Sequence, residues 1–149
     1  MLNLADFSKG AKHRLKPLSF TYMEPIILAS SSPRRQEIFR QLNIPFKVMT
    51  SDFEETKPDN ISLQETPEYF AAQKVRSVVK MFPRDQQIGW IFGADTSIIF
   101  NKKMYGKPHD AAEAKSFLKT FSGHQHEVIS GIALFNGELQ YLETKTSKN

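Results

Sequence analysis

The stretch that most constrains this chain is Ile26-Ile27-Leu28-Ala29-Ser30-Ser31-Ser32-Pro33-Arg34-Arg35. A continuous apolar run breaks into serines, and a proline followed by two arginines then opens a helix. Ser32 suits the N-cap, and Pro33 suits the first helical position, where its missing N–H costs nothing. The free N–H groups of that first turn, the positive end of the helix dipole and two guanidiniums converge on one spot. Such a spot attracts anions, phosphate above all. A solvated basic patch of the kind kinases modify is the competing reading. The apolar strand in front of it favours a folded setting.

The rest of the chain alternates between the two periodicities of regular structure. A helix is expected over 33–42, with Ile38, Phe39 and Leu42 facing inward, and a strand over 46–50. Together with the first strand this makes a strand–helix–strand unit with a parallel pair. A polar loop over 51–62 leads to a long helix whose stripe is Ala71, Val75, Val78, Val79 and Phe82. Its start is open between a capping box at Ser62-Leu63-Gln64-Glu65 and the pair Thr66-Pro67.

A short buried strand is expected over 90–94, and a hairpin joins 98–100 to 104–105 through Asn101-Lys102-Lys103. Asp110 caps a helix with Ala114, Phe117, Leu118 and Phe121 inward, and Gly123 suits its C-cap. A last hairpin, 127–135 with 138–142, turns at Asn136-Gly137. The fold class is therefore α/β. A domain over 24–146 is expected, with an N-terminal extension over 1–23 and a polar tail over 147–149.

Composition narrows the class without choosing a function. A chain of 149 residues with 40% hydrophobic residues can bury a core. It lacks cysteine, which removes disulfides and thiolate zinc sites and agrees with a reducing, cytoplasmic setting. A mitochondrial presequence would be basic and amphipathic like 1–23, but Asp6 weighs against it. No apolar run reaches the ~18 residues that a membrane helix needs. The net charge of +4 suits an anionic ligand. The basic residues are scattered without interleaved aromatics, which argues against nucleic-acid binding.

The candidate chemistry lies at the ends of these elements. Gly93-Ala94-Asp95-Thr96 puts a carboxylate just past a buried strand, where α/β folds collect ligands. Glu54 and Glu55 follow the second strand. Carboxylates without histidine or cysteine partners favour a hard cation such as Mg²⁺. Lys74 sits beside the apolar stripe, where a lysine ordinarily snorkels to water. Its alternative is to turn toward a phosphate. Lys107, in Gly106-Lys107-Pro108, is either an exposed turn lysine or a second anion contact. His124 and His126 form a pair without a third ligand, which is weak ground for a metal site.

Taken in order, four segments closely resemble the Maf family of nucleoside triphosphate pyrophosphatases. They are Leu28-Ala29-Ser30-x-Ser32-Pro33-Arg34-Arg35-x-Glu37, Gly93-Ala94-Asp95-Thr96, Gly106-Lys107-Pro108 and Ser122-Gly123-x-x-His126-x-Val128-x-x-Gly131. The resemblance covers about 25–146. It implies a Maf/inosine-triphosphatase-like mixed sheet flanked by helices, and hydrolysis of a dTTP/UTP-type nucleotide to monophosphate and pyrophosphate with Mg²⁺ or Mn²⁺.

By motif position it implies Asp95 as the catalytic carboxylate, Glu54 with Asp95 as metal ligands, and Lys74 and Lys107 as phosphate contacts. Ser30, Ser32 and Arg35 belong to the substrate-binding motif, and Arg34 and Thr96 fall where the family distinguishes bases. It further implies a homodimer, which no residue here marks. The family's Glu-Pro-x-Asp-Lys-Ala-Gly-x-Tyr-Gly-Ile-Gln region has no counterpart in the chain. The competing expectation is therefore a catalytically inactive nucleotide-binding or regulatory fragment.

Overall fold

The apolar stretch that opens on the chain's single tryptophan is one long strand. In the computed structural model, which describes residues 24–86, 88–137 and 141–148, strand β3 runs without interruption over Trp90–Phe100. Asp95 and Thr96 thus lie within a strand, not past its end as expected. The reason is β5 (Glu127–Asn136), which pairs antiparallel with β3 from Trp90↔Asn136 to Ile99↔Glu127. This long ladder supplies partners for backbone that local sequence would leave in a loop.

On its other edge, β3 meets two short strands. Its beginning pairs parallel with β1 (Ile26–Leu28), through Ile27↔Ile91 and Leu28↔Phe92. Its end pairs antiparallel with β4 (Lys103–Tyr105), through Ile98↔Tyr105 to Phe100↔Lys103. Between them, 93–97 has no strand partner on this edge among the described residues. The sheet order is β2-β1-β3-β5-β6, with β4 beside β3 and β2 spanning Phe46–Val48. As expected, β1 and β2 are parallel, and the whole is a mixed α/β sheet.

Three helices complete the fold. Helix α1 (Pro33–Gln41) has Ser32 at its N-cap, accepting from the Arg35 N–H, as read from the sequence. Phe39 is its buried residue, stacked edge-on against Phe46 and Phe92. Ile38 and Leu42, expected inside, are exposed. The nine-residue helix makes its one deep contact through Phe39, which reaches β2 and β3.

Helix α2 (Thr66–Lys80) combines both proposed starts. Ser62 and Glu65 form a reciprocal capping box: the Ser62 N–H donates to the Glu65 carboxylate at 2.8 Å, and the Glu65 N–H donates to Ser62 Oγ at 3.2 Å. That box closes the preceding turn, and the helix proper begins at Thr66-Pro67. Its stripe, with Ala71, Val75 and Val78 fully buried, packs on Ala29, Ile91, Ala133 and Phe135.

Two glycines set how close α2 comes to the sheet. A Cβ on Gly93 would lie 2.7 Å from Val75 Cγ2, and one on Gly131 would lie 2.2 Å from the Glu68 nitrogen. Both sit on the α2-facing side, so the helix backbone rides directly over them.

Helix α3 (Ala111–Phe121) is capped by Asp110, as expected, but buries no residue fully. Leu118, read as inward, is 70% exposed. Phe117 and Phe121 do turn inward, meeting Tyr105 at 5.1 and 5.0 Å between ring centroids. The helix rests on the β3–β4 hairpin through these rings rather than through a full apolar stripe.

Strand β6 (Tyr141–Lys148) overturns the expected tail, since Thr146, Ser147 and Lys148 pair with Gly131, Ser130 and Ile129. Threonines suit a pleated surface, and the Glu68 carboxylate on α2 accepts from the Thr144 and Thr146 hydroxyls, drawing the strand to the helix. The expected extension over 1–23 lies outside the described residues.

Candidate active site

The unpaired stretch of the β3 edge is the floor of the site. Around it converge the turn between β1 and α1, the loop after β2, the middle of α2 and the segment leaving β4. They enclose a cavity of about 710 Å³.

Alternation along β3 decides which side chains face α2. Ile91, Gly93, Asp95, Ser97 and Ile99 share that side, and Asp95 is 7% exposed. A carboxylate this deep needs charge partners. Lys74, one turn along α2 from Ala71, donates from Nζ to Asp95 Oδ1 at 2.9 Å and lies 2.7 Å from Glu55 Oε1. Its side chain is only 15% exposed, so it does not snorkel to water. The hydroxyl of Ser97 donates to the other Asp95 oxygen at 3.2 Å.

The serine–proline–arginine turn forms the opposite wall. Ser30 Oγ accepts from the Ser32 N–H at 3.1 Å and from Arg35 Nη1 at 3.3 Å. Ser32 Oγ accepts from the Arg35 N–H at 3.5 Å. The serines thus lock the turn and aim the Arg35 guanidinium inward. Burial lowers the pKa of Arg35 from its ordinary value, while the charges of Asp95 and Glu55 oppose that shift. The four charged groups form a balanced cluster, two cationic and two anionic. Arg34, exposed at the mouth, and Lys107, beyond β4, add positive charge facing the same cavity.

The structure brings together Ser30, Ser32, Arg34, Arg35, Lys74, Asp95, Thr96 and Lys107 around the cavity. Glu54 is not among its lining residues. It is exposed in the loop, and its neighbour Glu55 reaches Lys74 instead. Thr96 borders the cavity, with its hydroxyl held to Ser130 Oγ at 2.9 Å.

Glu55 is, with Glu54, a candidate oxygen ligand from the sequence, but motif position singles out Glu54, and a loop has no period to choose between them. One polar residue, Ser97, had no sequence signal of its own. Ser97 stands two residues after Asp95, and would have been legible once 90–100 was read as one strand. His124 and His126 lie elsewhere, stacked on Phe100 and Phe121 at 5.6 and 5.1 Å.

Among the described residues, no three His, Cys, Asp or Glu side chains gather in a metal-binding group. Asp95 and Glu55 nevertheless present an oxygen-only donor pair drawn onto one cation, the Lys74 ammonium. That chemistry fits a hard divalent ion sharing its remaining ligands with phosphate oxygens.

The chain is similar to several known proteins. A dTTP/UTP pyrophosphatase of Ruminiclostridium cellulolyticum is 43% identical over 119 residues, covering 76% of this chain and 58% of that protein. One from Pelotomaculum thermopropionicum is 33% identical over 85% of this chain and 64% of its own length. A third, from Symbiobacterium thermophilum, is 40% identical over 78% of this chain and 58% of that one. The chain thus spans about three fifths of the length of these relatives. Among solved structures, the Staphylococcus aureus Ham1 protein aligns with a TM-score of 0.49 at 14% identity, over 84% of this chain and 70% of that one. The profile of the Maf-like proteins matches residues 25–149, and the chain belongs to that family.

Proposed function

We propose that this chain hydrolyses a nucleoside triphosphate of the dTTP/UTP type to the monophosphate and pyrophosphate. One observation carries the reading: Lys74 draws Asp95 and Glu55 together in a cavity whose other wall is the arginine-bearing helix N-terminus. An acid-lined floor opposite a cationic wall suits a triphosphate whose bridging bond is attacked by water. The relatives' names support the choice of nucleotide.

The α1 N-terminus, Arg34, Arg35 and Lys107 would take the phosphate oxygens, with Lys74 neutralising charge near the α-phosphorus. Asp95, within the same cavity, would orient a water and accept its proton. The new bond joins the water oxygen to the α-phosphorus. The bond from that phosphorus to the α–β bridging oxygen breaks, and pyrophosphate leaves with the electron pair. Asp95 and Glu55 would hold Mg²⁺ or Mn²⁺, which when bound screens the phosphate charge. Thr96 and Arg34 stand at the positions proposed to read the base. Proposed partners are the nucleotide and a second copy of the chain. We place the protein in the cytoplasm, consistent with the absence, among the described residues, of a helix able to cross a membrane.

The test is incubation with dTTP, UTP, CTP or ATP and Mg²⁺, measuring pyrophosphate and monophosphate separately. Both products should appear in equal amounts, fastest with dTTP or UTP, and Asp95→Asn should lower their rate by at least about a hundredfold while leaving a measurable residue. Turnover unimpaired by Asp95→Asn would overturn the mechanism. A UTP-dependent rise in melting temperature without pyrophosphate would assign a binding role instead.

A further inference from the structure

We infer that Ser97 is a positioning residue for the reaction: its hydroxyl fixes the plane of the Asp95 carboxylate. This rests on the proposed role of Asp95 and concerns a residue that no motif includes. An aspartate carboxylate turns on a broad, roughly twofold torsion, so one hydrogen bond leaves its plane free. Here two donors from two elements hold its two oxygens. Lys74 of α2 takes Oδ1 at 2.9 Å, and Ser97 of β3 takes Oδ2 at 3.2 Å.

Packing alone does not account for a serine at this position. Ser97 is 3% exposed. Its cross-strand partner is Ile129, 1% exposed, and its same-face neighbours on β3 are Ile99, 6% exposed, and Asp95. Beside two buried isoleucines a hydroxyl is unfavourable unless it is bonded. Its bond runs to the carboxylate that the proposed reaction uses to accept the water's proton.

With both oxygens pinned, the lone pairs left to Asp95 hold a constant direction toward the cavity, so a water seated there meets an aligned acceptor. Without Ser97 the carboxylate follows Lys74 alone and swings about the Cβ–Cγ bond. Small misalignments of a catalytic group cost rate while leaving ground-state binding untouched. The phosphate wall does not involve Ser97, so substrate affinity should be preserved.

The experiment compares steady-state UTP hydrolysis by the full chain with that of Ser97→Ala, Ser97→Thr, Asp95→Asn and the double variant Asp95→Asn/Ser97→Ala. Ser97→Ala should lower kcat about tenfold with KM within about twofold, and Ser97→Thr should return kcat to within about threefold of the parent. On the Asp95→Asn background the alanine should cost nothing further, because the group it positions is gone. Melting temperatures of all variants, measured in parallel, separate misfolding from mispositioning. Parental kcat in Ser97→Ala, a rise in KM alone, failure of a folded Ser97→Thr to recover, or an additive loss in the double variant would each overturn the inference. Full activity in Asp95→Asn, or no turnover in the parent, would overturn the underlying mechanism and this inference with it. A strongly impaired Asp95→Asn beside a fully active Ser97→Ala overturns the inference alone.

Discussion

Lys74 shows how a single residue's meaning passes from sequence to structure. Its position beside an apolar stripe is compatible with a solvated tip or a buried ion pair, and only the closeness of α2 to β3 decides between them. Held against a 7% exposed aspartate, the ammonium is a structural counter-charge as well as a candidate phosphate ligand. Lys74→Met should therefore act twice. It should lower unfolding free energy by about 1–3 kcal/mol in urea titrations, since a buried carboxylate loses its cation. It should also lower turnover by at least about a hundredfold. A variant as stable as the parent would show that Asp95 finds adequate compensation in Ser97 and Arg35. The serine–arginine turn was legible because it sits where β1 ends and α1 begins, whereas Asp95, Thr96 and Lys74, which lie inside β3 and α2, were legible from their motifs. Glu55 was not, because the loop before α2 offers no period from which to select one of two adjacent glutamates.

Elements were legible where one strong local signal defined them and obscure where a distant partner did. The Ser32 and Asp110 caps and the α2 stripe need only neighbours in sequence. The continuity of β3 and the extent of β6 depend on β5, far away along the chain. Substitutions hurt most where elements meet closely. Gly131→Ala would drive a Cβ to within 2.2–2.4 Å of α2 backbone atoms at Pro67 and Glu68, so it should destabilise by about 3 kcal/mol or fail to fold. In α3, Leu118→Ser should change stability by less than about 0.5 kcal/mol, whereas Phe121→Ala, which removes ring contacts to Tyr105 and Phe100, should cost roughly 2–4 kcal/mol. At the entry to α2, the hydrogen bonds from Ser62 hold the Glu65 carboxyl below its ordinary pKa. A depressed folded-state value means stability present above the ordinary glutamate range and lost as pH falls through the lower folded value. Ser62→Ala removes the hydroxyl's share of that shift and its bond to the Glu65 N–H, so it should lower the melting temperature at neutral pH, and the gap to the parent should narrow in acid. A gap that stays constant down to acid pH would contradict this.

Across the whole molecule, one sheet does two jobs. Its α2 face carries the continuous core, with Ala29, Ile91 and Ala133 fully buried beneath the helix. The β3 edge between β1 and β4 leaves a gap that positions the acidic floor of the cavity against a cationic helix terminus. In the proposed reaction, water attacks the α-phosphorus in this gap. Hydrolysis of UTP in ¹⁸O-labelled water, followed by mass spectrometry of both products, shows which phosphorus the water meets. The label should appear in the monophosphate, with unlabelled pyrophosphate. Label in the pyrophosphate, or release of orthophosphate and a nucleoside diphosphate, would contradict it.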